Sequence, residues 1–227
     1  MSNVLLILVV LLGQGRVPKI ETRSLERAGE PTIHYSIAVP ETYSPDRPVP
    51  LVLALHFSGN PEGAGRSLLE ILVAPGLKEL GAVLVAPDRL GGVWTSEAND
   101  RALNVLCEEL FNTYEIDRRK IAITGYSMGA TGAWQLAQKH PDRFSAVIPI
   151  SGMPPAAMST WRIPVFAIHS RSDEVVLIGP TQAAIAQLRK NNVRAELIPL
   201  IGPGHYQTYF FVDALKQAVP WLKEIWK

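Results

Sequence analysis

The segment from Lys120 to Pro141, KIAITGYSMGATGAWQLAQKHP, decides how the rest of the chain is interpreted. Its first residues form a short apolar run, which is typical of a buried β-strand. The residues from Met128 to Lys139 follow a helical pattern, and Pro141 helps to end that helix. Between the two lies Gly125-Tyr126-Ser127-Met128-Gly129, a single serine flanked by glycines. This corner is either a tight turn without chemistry or the site of a nucleophile.

A G-x-S-x-G motif between a strand and a helix is typical of a nucleophile elbow. The serine of such an elbow occupies a strained turn, so the residues two before and two after it, Gly125 and Gly129, must be small. Its hydroxyl projects away from the sheet, and the helix N-terminus beside it favours developing negative charge. The motif alone is weak, because short glycine and serine patterns also arise by chance. The strand before it and the helix after it favour Ser127 as a nucleophile over a purely structural turn.

Outward from this segment, short apolar runs alternate with helical patterns. Strands are predicted over 32–40, 51–57, 82–87, 120–125, 146–151, 164–169 and 195–200. Helices are predicted over 66–80, 99–114 (with Asn99 or Asp100 as its cap), 128–139, 181–191 and 209–226. Such alternation predicts an α/β fold with a mainly parallel sheet and helices on both faces. We expect one catalytic domain over 16–227, with its ligand at the carboxyl ends of the strands.

Two further reactive side chains follow predicted strands. Asp173 lies in HSRSDEVV, residues 169–176, and His205 lies in GPGHYQT, residues 202–208. Either residue alone could be ordinary, because single loop acids and loop histidines are usually solvated. Together with Ser127 they supply a nucleophile, an acid and a base, each at the end of a strand. We therefore predict that the three side chains meet at one edge of the sheet.

The chain resembles the α/β-hydrolase superfamily from about Thr32 to its C-terminus. Two segments carry the likeness, YSIAVPETYSPDRPVPLVLALH (35–56) and IDRRKIAITGYSMGATGAW (116–134). Within the superfamily it is most similar to small, cap-less bacterial esterases near the phospholipase/carboxylesterase, feruloyl-esterase and polyhydroxybutyrate-depolymerase groups. The resemblance implies a mostly parallel sheet of about eight strands without a lid domain. It also implies a catalytic triad in the chain order Ser127, Asp173, His205, which that superfamily requires.

The same resemblance implies an oxyanion hole beside HFSGN, residues 56–60. Related esterases have a glycine after the histidine, whereas this chain has Phe57. The backbone N–H of Ser58 is therefore the first candidate donor and that of Phe57 the second, with Met128 as the other donor. His56 is assigned to the substrate side of the site. Organisation of this loop and a role as a second catalytic base are the alternatives for it.

The implied reaction is hydrolysis of carboxylic esters through an acyl-enzyme. Only fourteen residues, 151–164, connect the strand predicted over 146–151 to the next one, which leaves no room for a helical lid. We therefore expect an open site for small-molecule or polymeric esters, either with short acyl chains or with exposed feruloyl-type groups. Trp94, in the loop after the strand predicted over 82–87, either stacks on a sugar or phenolic ring or is simply packed. A prolyl-oligopeptidase-like serine peptidase and a non-catalytic binding protein are the competing function classes.

Composition excludes several other classes of function. The chain has 22 basic and 21 acidic residues and a net charge of +1, which argues against nucleic acid as the main partner. Cys107 is its single cysteine, so neither an intrachain disulfide nor a multi-cysteine zinc site is available. The five histidines form no H-E-x-x-H motif, and no dinucleotide fingerprint is present. We expect neither a metal nor a cofactor, and the sequence leaves the oligomeric state open.

The N-terminal residues give an indication of the cellular location of the protein. Val4 to Leu12 are nine consecutive apolar residues, a length that suits a signal peptide and is too short to cross a bilayer. Residues 1–15 are accordingly a candidate signal peptide or N-terminal leader, which favours a secreted or periplasmic protein over a cytoplasmic one. No Lys or Arg precedes the run and no A-x-A pattern follows it, so a buried first strand is the alternative.

Overall fold

The computed structural model describes residues 17–227, so the predicted leader over 1–15 lies outside the described residues. The strands are β1 (Ile20–Leu25), β2 (Ile33–Ala38), β3 (Val49–Leu55), β4 (Val83–Pro87), β5 (Ile116–Tyr126), β6 (Ala146–Ile150), β7 (Val165–Ser170) and β8 (Ala195–Leu200). The α-helices are α1 (Ala64–Leu68), α2 (Ala74–Leu77), α3 (Glu97–Thr113), α4 (Met128–Lys139), α5 (Ile178–Lys190), α6 (Val212–Lys216) and α7 (Ala218–Ile225).

The strands form one eight-stranded sheet in the order β1-β2-β4-β3-β5-β6-β7-β8. Only β2 runs antiparallel to its neighbours, and the pairs from β4 to β8 are parallel. The central strands β4 and β6 are buried along their whole length, as expected where helices cover both faces. The predicted α/β fold with a mostly parallel sheet of about eight strands is confirmed.

The helices divide between the two faces of the sheet. Leu103, Trp134 and Leu188 bring α3, α4 and α5 into a hydrophobic cluster on one face. Leu72, Leu215 and Leu222 belong to the cluster on the other face, where α1, α2, α6 and α7 pack. Both layers exclude water from the sheet, which is the main source of stability in such a fold.

The start of α3 differs from its prediction. The helix begins at Glu97, and Ser96 is its cap, because its hydroxyl accepts a hydrogen bond from Asn99 N–H. Asn99 and Asp100 therefore lie within the first turn. The Asn99 amide instead bonds backbone groups of the preceding loop, at Leu90 N–H, Gly91 O and Val93 O. The prediction that Asn99 or Asp100 caps this helix was therefore wrong. Ser96, three residues before Asn99, has the same capping chemistry.

Prolines divide two helices that are continuous in the sequence pattern. The helix predicted over 66–80 widens into a π-helical turn at Leu69–Val73, before Pro75. It ends in a 3₁₀ turn over Lys78–Leu80. The last is split into a 3₁₀ turn (Thr208–Phe211), α6 and α7, with Pro220 in the first turn of α7. Proline supplies no N–H and its ring clashes with the preceding turn, so a continuous helix is interrupted there.

The loops at the carboxyl ends of the parallel strands share one edge of the sheet. Residues 151–164, between β6 and β7, contain no helix in the described structure, and no lid covers this edge in residues 17–227. None of the helices in the same range is long and apolar enough to span a bilayer. The edge is therefore open where the sequence places its reactive side chains.

Candidate active site

Ser127 occupies a strained corner between β5 and α4. Its φ is 55° and its ψ is −119°, a conformation that costs a non-glycine residue free energy. The corner is held on both sides, because Ser127 N–H donates to Ile150 O at 3.0 Å and Thr131 N–H donates to Ser127 O at 3.0 Å. The side chain stays at the surface edge of the core, with 9% of the residue exposed.

Two glycines of the motif are required by space. A Cβ on Gly125 would lie 2.4 Å from the carbonyl carbon and oxygen of Gly129, and a Cβ on Gly129 would lie 1.8 Å from Leu55 O. Both distances are far inside van der Waals contact. The tight approach of α4 to the end of β3 therefore depends on the absence of side chains at these positions.

The structure brings the three predicted reactive side chains together in a line. His205 Nε2 lies 2.8 Å from Ser127 Oγ, and His205 Nδ1 lies 2.8 Å and 2.9 Å from the two oxygens of Asp173. Asp173 and His205 are buried, with 4% and 3% of each residue exposed. An ionised Asp173 can only accept a hydrogen bond, so His205 carries its proton on Nδ1, and Nε2 is left to accept the hydrogen bond of the Ser127 hydroxyl.

The Asp173 carboxylate is held ionised by its surroundings. Its Oδ1 also accepts hydrogen bonds from Val175 N–H at 3.0 Å and Val176 N–H at 2.8 Å. Burial alone would raise the pKa of this carboxyl, but the hydrogen bonds from His205 and from these two N–H groups outweigh burial and lower the pKa. The carboxylate is therefore charged near neutral pH.

A second buried histidine backs the carboxylate. His169 Nε2 donates to Val176 O at 2.7 Å and lies 3.5 Å from Asp173 Oδ2. Burial, the largest cause, lowers the pKa of His169, so the imidazole is neutral near pH 7. It packs behind the acid and does not reach Ser127.

The candidate oxyanion donors lie beside the elbow. Because Gly129 contacts Leu55 O, the loop after β3 runs alongside Ser127, and Phe57 and Ser58 line the same cleft as Ser127 and His205. Met128 is the first residue of α4, where backbone N–H groups have no intrahelical acceptor. Two of the three predicted donors thus line the cleft and the third directly follows Ser127, and their roles stay predictions.

The predicted substrate contacts of His56 and Trp94 are not supported by the structure. His56 is fully buried; its Nδ1 donates to Phe57 O at 2.7 Å, and its Nε2 accepts from Arg89 N–H at 3.1 Å. The Trp94 indole is 2% exposed and donates to His56 O at 2.9 Å. Neither ring has a free face for a substrate. Both rings instead support the loop that carries the candidate oxyanion donors. The structure therefore favours the alternatives in which His56 organises the loop and Trp94 is packed.

The cleft over the triad has a volume of about 390 Å³. Besides residues already named, Ile71, Tyr126, Tyr206 and Thr208 line it, and within residues 17–227 no Asp, Glu, Lys or Arg does. Sequence reasoning missed Ile71 and Tyr206 as cleft residues. Tyr206 follows His205 directly, so its position offered a signal, whereas Ile71 belongs to a helical turn whose approach to the cleft depends on tertiary packing.

Comparisons with known proteins agree with this architecture. A family model described as the alpha/beta hydrolase fold matches residues 57–200. A search of curated protein sequences finds no significant match.

Solved structures match over most of the chain at low identity. A thermostable esterase is 21% identical with a TM-score of 0.71; the match covers 90% of this chain, which spans only 62% of that esterase. The CE1 ferulic acid esterase of the anaerobic fungus Anaeromyces mucronatus is 17% identical, with a TM-score of 0.70 and 88% of each chain covered. A putative dipeptidyl aminopeptidase IV from Bacteroides ovatus is 14% identical, with a TM-score of 0.69, and 91% of this chain covers 36% of that protein. At these identities the likeness concerns the fold alone.

Proposed function

The chain belongs to the alpha/beta hydrolase fold family, and on that premise we propose that it is a serine hydrolase that cleaves carboxylic esters. One observation carries the proposal, the continuous hydrogen-bonded line from Ser127 through His205 to Asp173. A strained serine at a strand–helix corner, a base within 2.8 Å of it and a buried acid behind that base are the parts that acyl transfer requires.

In the proposed first step, Ser127 Oγ attacks the ester carbonyl carbon while His205 Nε2 takes the hydroxyl proton. The carbonyl oxygen gains negative charge in the tetrahedral intermediate, and the N–H groups of Met128 and of Ser58 or Phe57 stabilise it. Asp173 stabilises the imidazolium and holds its Nδ1–H in place. The C–O bond to the alcohol then breaks as His205 returns the proton to the leaving oxygen.

In the second step, water replaces the alcohol. His205 Nε2 removes a proton from the water as its oxygen attacks the acyl carbon, and a second tetrahedral intermediate forms against the same N–H donors. Collapse of this intermediate breaks the bond to Ser127 Oγ, which regains its proton from His205. The acid product leaves and the enzyme returns to its starting protonation state.

The cleft supports neutral esters as the substrate class. Its volume of about 390 Å³ suits a short acyl chain or a single aromatic ring, and its apolar wall includes Phe57, Ile71 and Tyr206. Among the described residues, the cleft lining offers no Asp, Glu, Lys or Arg to a charged substrate group, whose desolvation would therefore be uncompensated. Because no lid covers the cleft within residues 17–227, the exposed ester of a bulky or polymeric substrate is also within reach.

A serine peptidase would use the same three side chains. The choice between peptides and esters as substrates therefore depends on how the cleft binds the rest of the substrate. A peptidase that binds a charged chain terminus needs an opposite charge near the scissile bond, and the cleft lining contains none in the described residues. The lack of such a charge in the cleft lining favours esters over peptides as substrates.

We expect the protein to hydrolyse p-nitrophenyl acetate and butyrate, and the matched p-nitroanilides at least about 10³-fold more slowly in kcat/KM. Neutral methyl ferulate should be a better substrate than an ester of similar size with a carboxylate in its acyl group. Steady-state kinetics over this panel, with heat-denatured protein as the blank, make the test. Faster cleavage of the anilides than of the esters would support the peptidase alternative instead.

A further inference from the structure

We propose that Glu174 and Tyr126 are positioning residues that hold the backbone of His205 from both sides and thereby fix its imidazole against Ser127. The inference rests on the proposed function for its catalytic meaning. It concerns two segments, the acid loop (residues 170–176) and the histidine loop (residues 201–207). Neither residue touches the reacting atoms in the proposed mechanism; each acts through His205.

The histidine loop needs support from outside itself. It joins β8 to the 3₁₀ turn at Thr208 and has no helix or strand of its own. Within the loop, Gln207 bonds both the N–H and the carbonyl oxygen of Gly204, whereas the backbone groups of His205 require partners from elsewhere. Because His205 is 3% exposed, water has little access to the backbone groups of this residue.

Both backbone groups of His205 bond side chains from other parts of the chain. Its N–H donates to Glu174 Oε2 at 3.1 Å, and its carbonyl oxygen accepts from the Tyr126 hydroxyl at 2.5 Å. Tyr126 is 2% exposed, and burial, the largest cause, raises the pKa of its phenol to about 12. The hydroxyl therefore keeps its proton, and remains a donor, throughout the working pH range.

The acid loop also holds the residues that lead to His205. Ser170 Oγ donates to Pro203 O at 2.5 Å, and Ser172 Oγ accepts from Gly202 N–H at 3.3 Å. Ser170, Ser172 and Glu174 alternate in the sequence, and all three bond backbone groups of the histidine loop. Space is reserved for this contact, since a Cβ on Gly204 would lie 3.0 Å from Glu174 Oε2.

These backbone bonds help to set the alignment of His205 with Ser127 and Asp173. Asp173 binds the ring of His205 while its neighbour Glu174 binds the backbone of the same residue, so two consecutive acids set both position and orientation. A displacement of about 1 Å at a reacting group can cost about 100-fold in rate. Loss of either backbone bond should therefore lower kcat more than it changes KM.

The test compares Glu174→Ala, Glu174→Gln and Tyr126→Phe with the wild type. Glu174→Ala should lower kcat for p-nitrophenyl butyrate by about 3- to 10-fold, with KM within about twofold, because water can enter the space left by the exposed Glu174 side chain and accept the same hydrogen bond. Glu174→Gln keeps an acceptor oxygen and should restore kcat to within about threefold of the wild type. Tyr126→Phe removes a buried donor and should lower kcat by about 10- to 100-fold. Arg171→Ala, an exposed residue of the same loop, is the matched control and should leave kcat unchanged.

Amide hydrogen exchange at His205 gives a readout that does not depend on catalysis. Glu174→Ala should speed exchange at this amide by about 10-fold or more, and Glu174→Gln should largely restore protection. If exchange at His205 and kcat both stay at wild-type values in Glu174→Ala and Tyr126→Phe, the inference is overturned. Equal losses in Glu174→Ala and Glu174→Gln would contradict the hydrogen bond as the cause. A wild type without esterase activity but with the expected exchange pattern would refute the proposed function and leave the backbone contacts supported.

Discussion

Ser127→Ala is expected to lower kcat/KM for p-nitrophenyl butyrate by about 10⁵- to 10⁶-fold while the protein stays folded. The expected loss is this large because the serine oxygen forms the covalent bond in the proposed reaction, and no other hydroxyl lies in line with His205 Nε2 among the described contacts. Alanine is smaller than serine and fits the same corner. Steady-state kinetics, with circular dichroism and urea unfolding to check the fold, measure the effect.

Ser151→Ala provides a matched control. Ser151 is also a buried serine with a positive φ, 51°, and it directly follows the neighbouring strand β6. Its replacement imposes the same change of side chain on the same type of strained backbone. Because Ser151 interacts with Tyr126, its loss should lower kcat/KM by no more than about tenfold, far less than Ser127→Ala. Wild-type turnover in Ser127→Ala, or an equal loss in both variants, would remove Ser127 from the mechanism.

Asp173→Asn is expected to lower kcat/KM by about 10⁴-fold. The backbone N–H groups of Val175 and Val176 both donate to Oδ1, so the amide oxygen of an asparagine should take that position. The amide NH₂ would then face His205 Nδ1 and require an acceptor there. His205 would carry its proton on Nε2 and be unable to accept the proton of Ser127.

The measurement for Asp173→Asn is kcat/KM at neutral pH, where the wild-type carboxylate is ionised because its pKa is lowered. Asp213→Asn is the control, since Asp213 is exposed and pairs only with Lys216 at the surface, an interaction worth little. Equal urea midpoints for wild type and variant would show that the loss is catalytic. A decrease in kcat/KM of less than about tenfold, with the fold intact, would remove Asp173 from the role of acid.

The sequence predicted the parts of the fold that follow from local chemistry. The apolar runs of β3, β4, β6 and β7 are inner strands with most side chains buried on both faces, so their pattern is strong. In contrast, β1 (IETRSL) is a half-exposed edge strand with only two apolar residues at its ends, and it gave no signal. It forms because β2 offers it an antiparallel partner, which is a tertiary effect.

In the candidate site, too, some features could be predicted from the sequence and others could not. Ser127, Asp173 and His205 could be predicted because each follows a strand and the carboxyl ends of parallel strands meet at one edge. The burial of Trp94 could not, because it depends on α4 packing against the loop after β4; a Cβ on Gly132 would lie 2.6 Å from Trp94 Cβ. Likewise, no sequence pattern shows that Tyr126 reaches the carbonyl of His205, 79 positions away.

The most direct test of the central claim is covalent labelling of the native protein with a fluorophosphonate, followed by mass spectrometry of its peptides. We expect one adduct, on Ser127, together with loss of esterase activity in proportion to labelling, and no adduct in Ser127→Ala. The reagent phosphonylates a serine only when a base and an oxyanion site activate it, so this result also separates an enzyme from a binding protein of the same fold. Absence of an adduct on the folded wild type, or an adduct on another residue with Ser127 unmodified, would contradict the account.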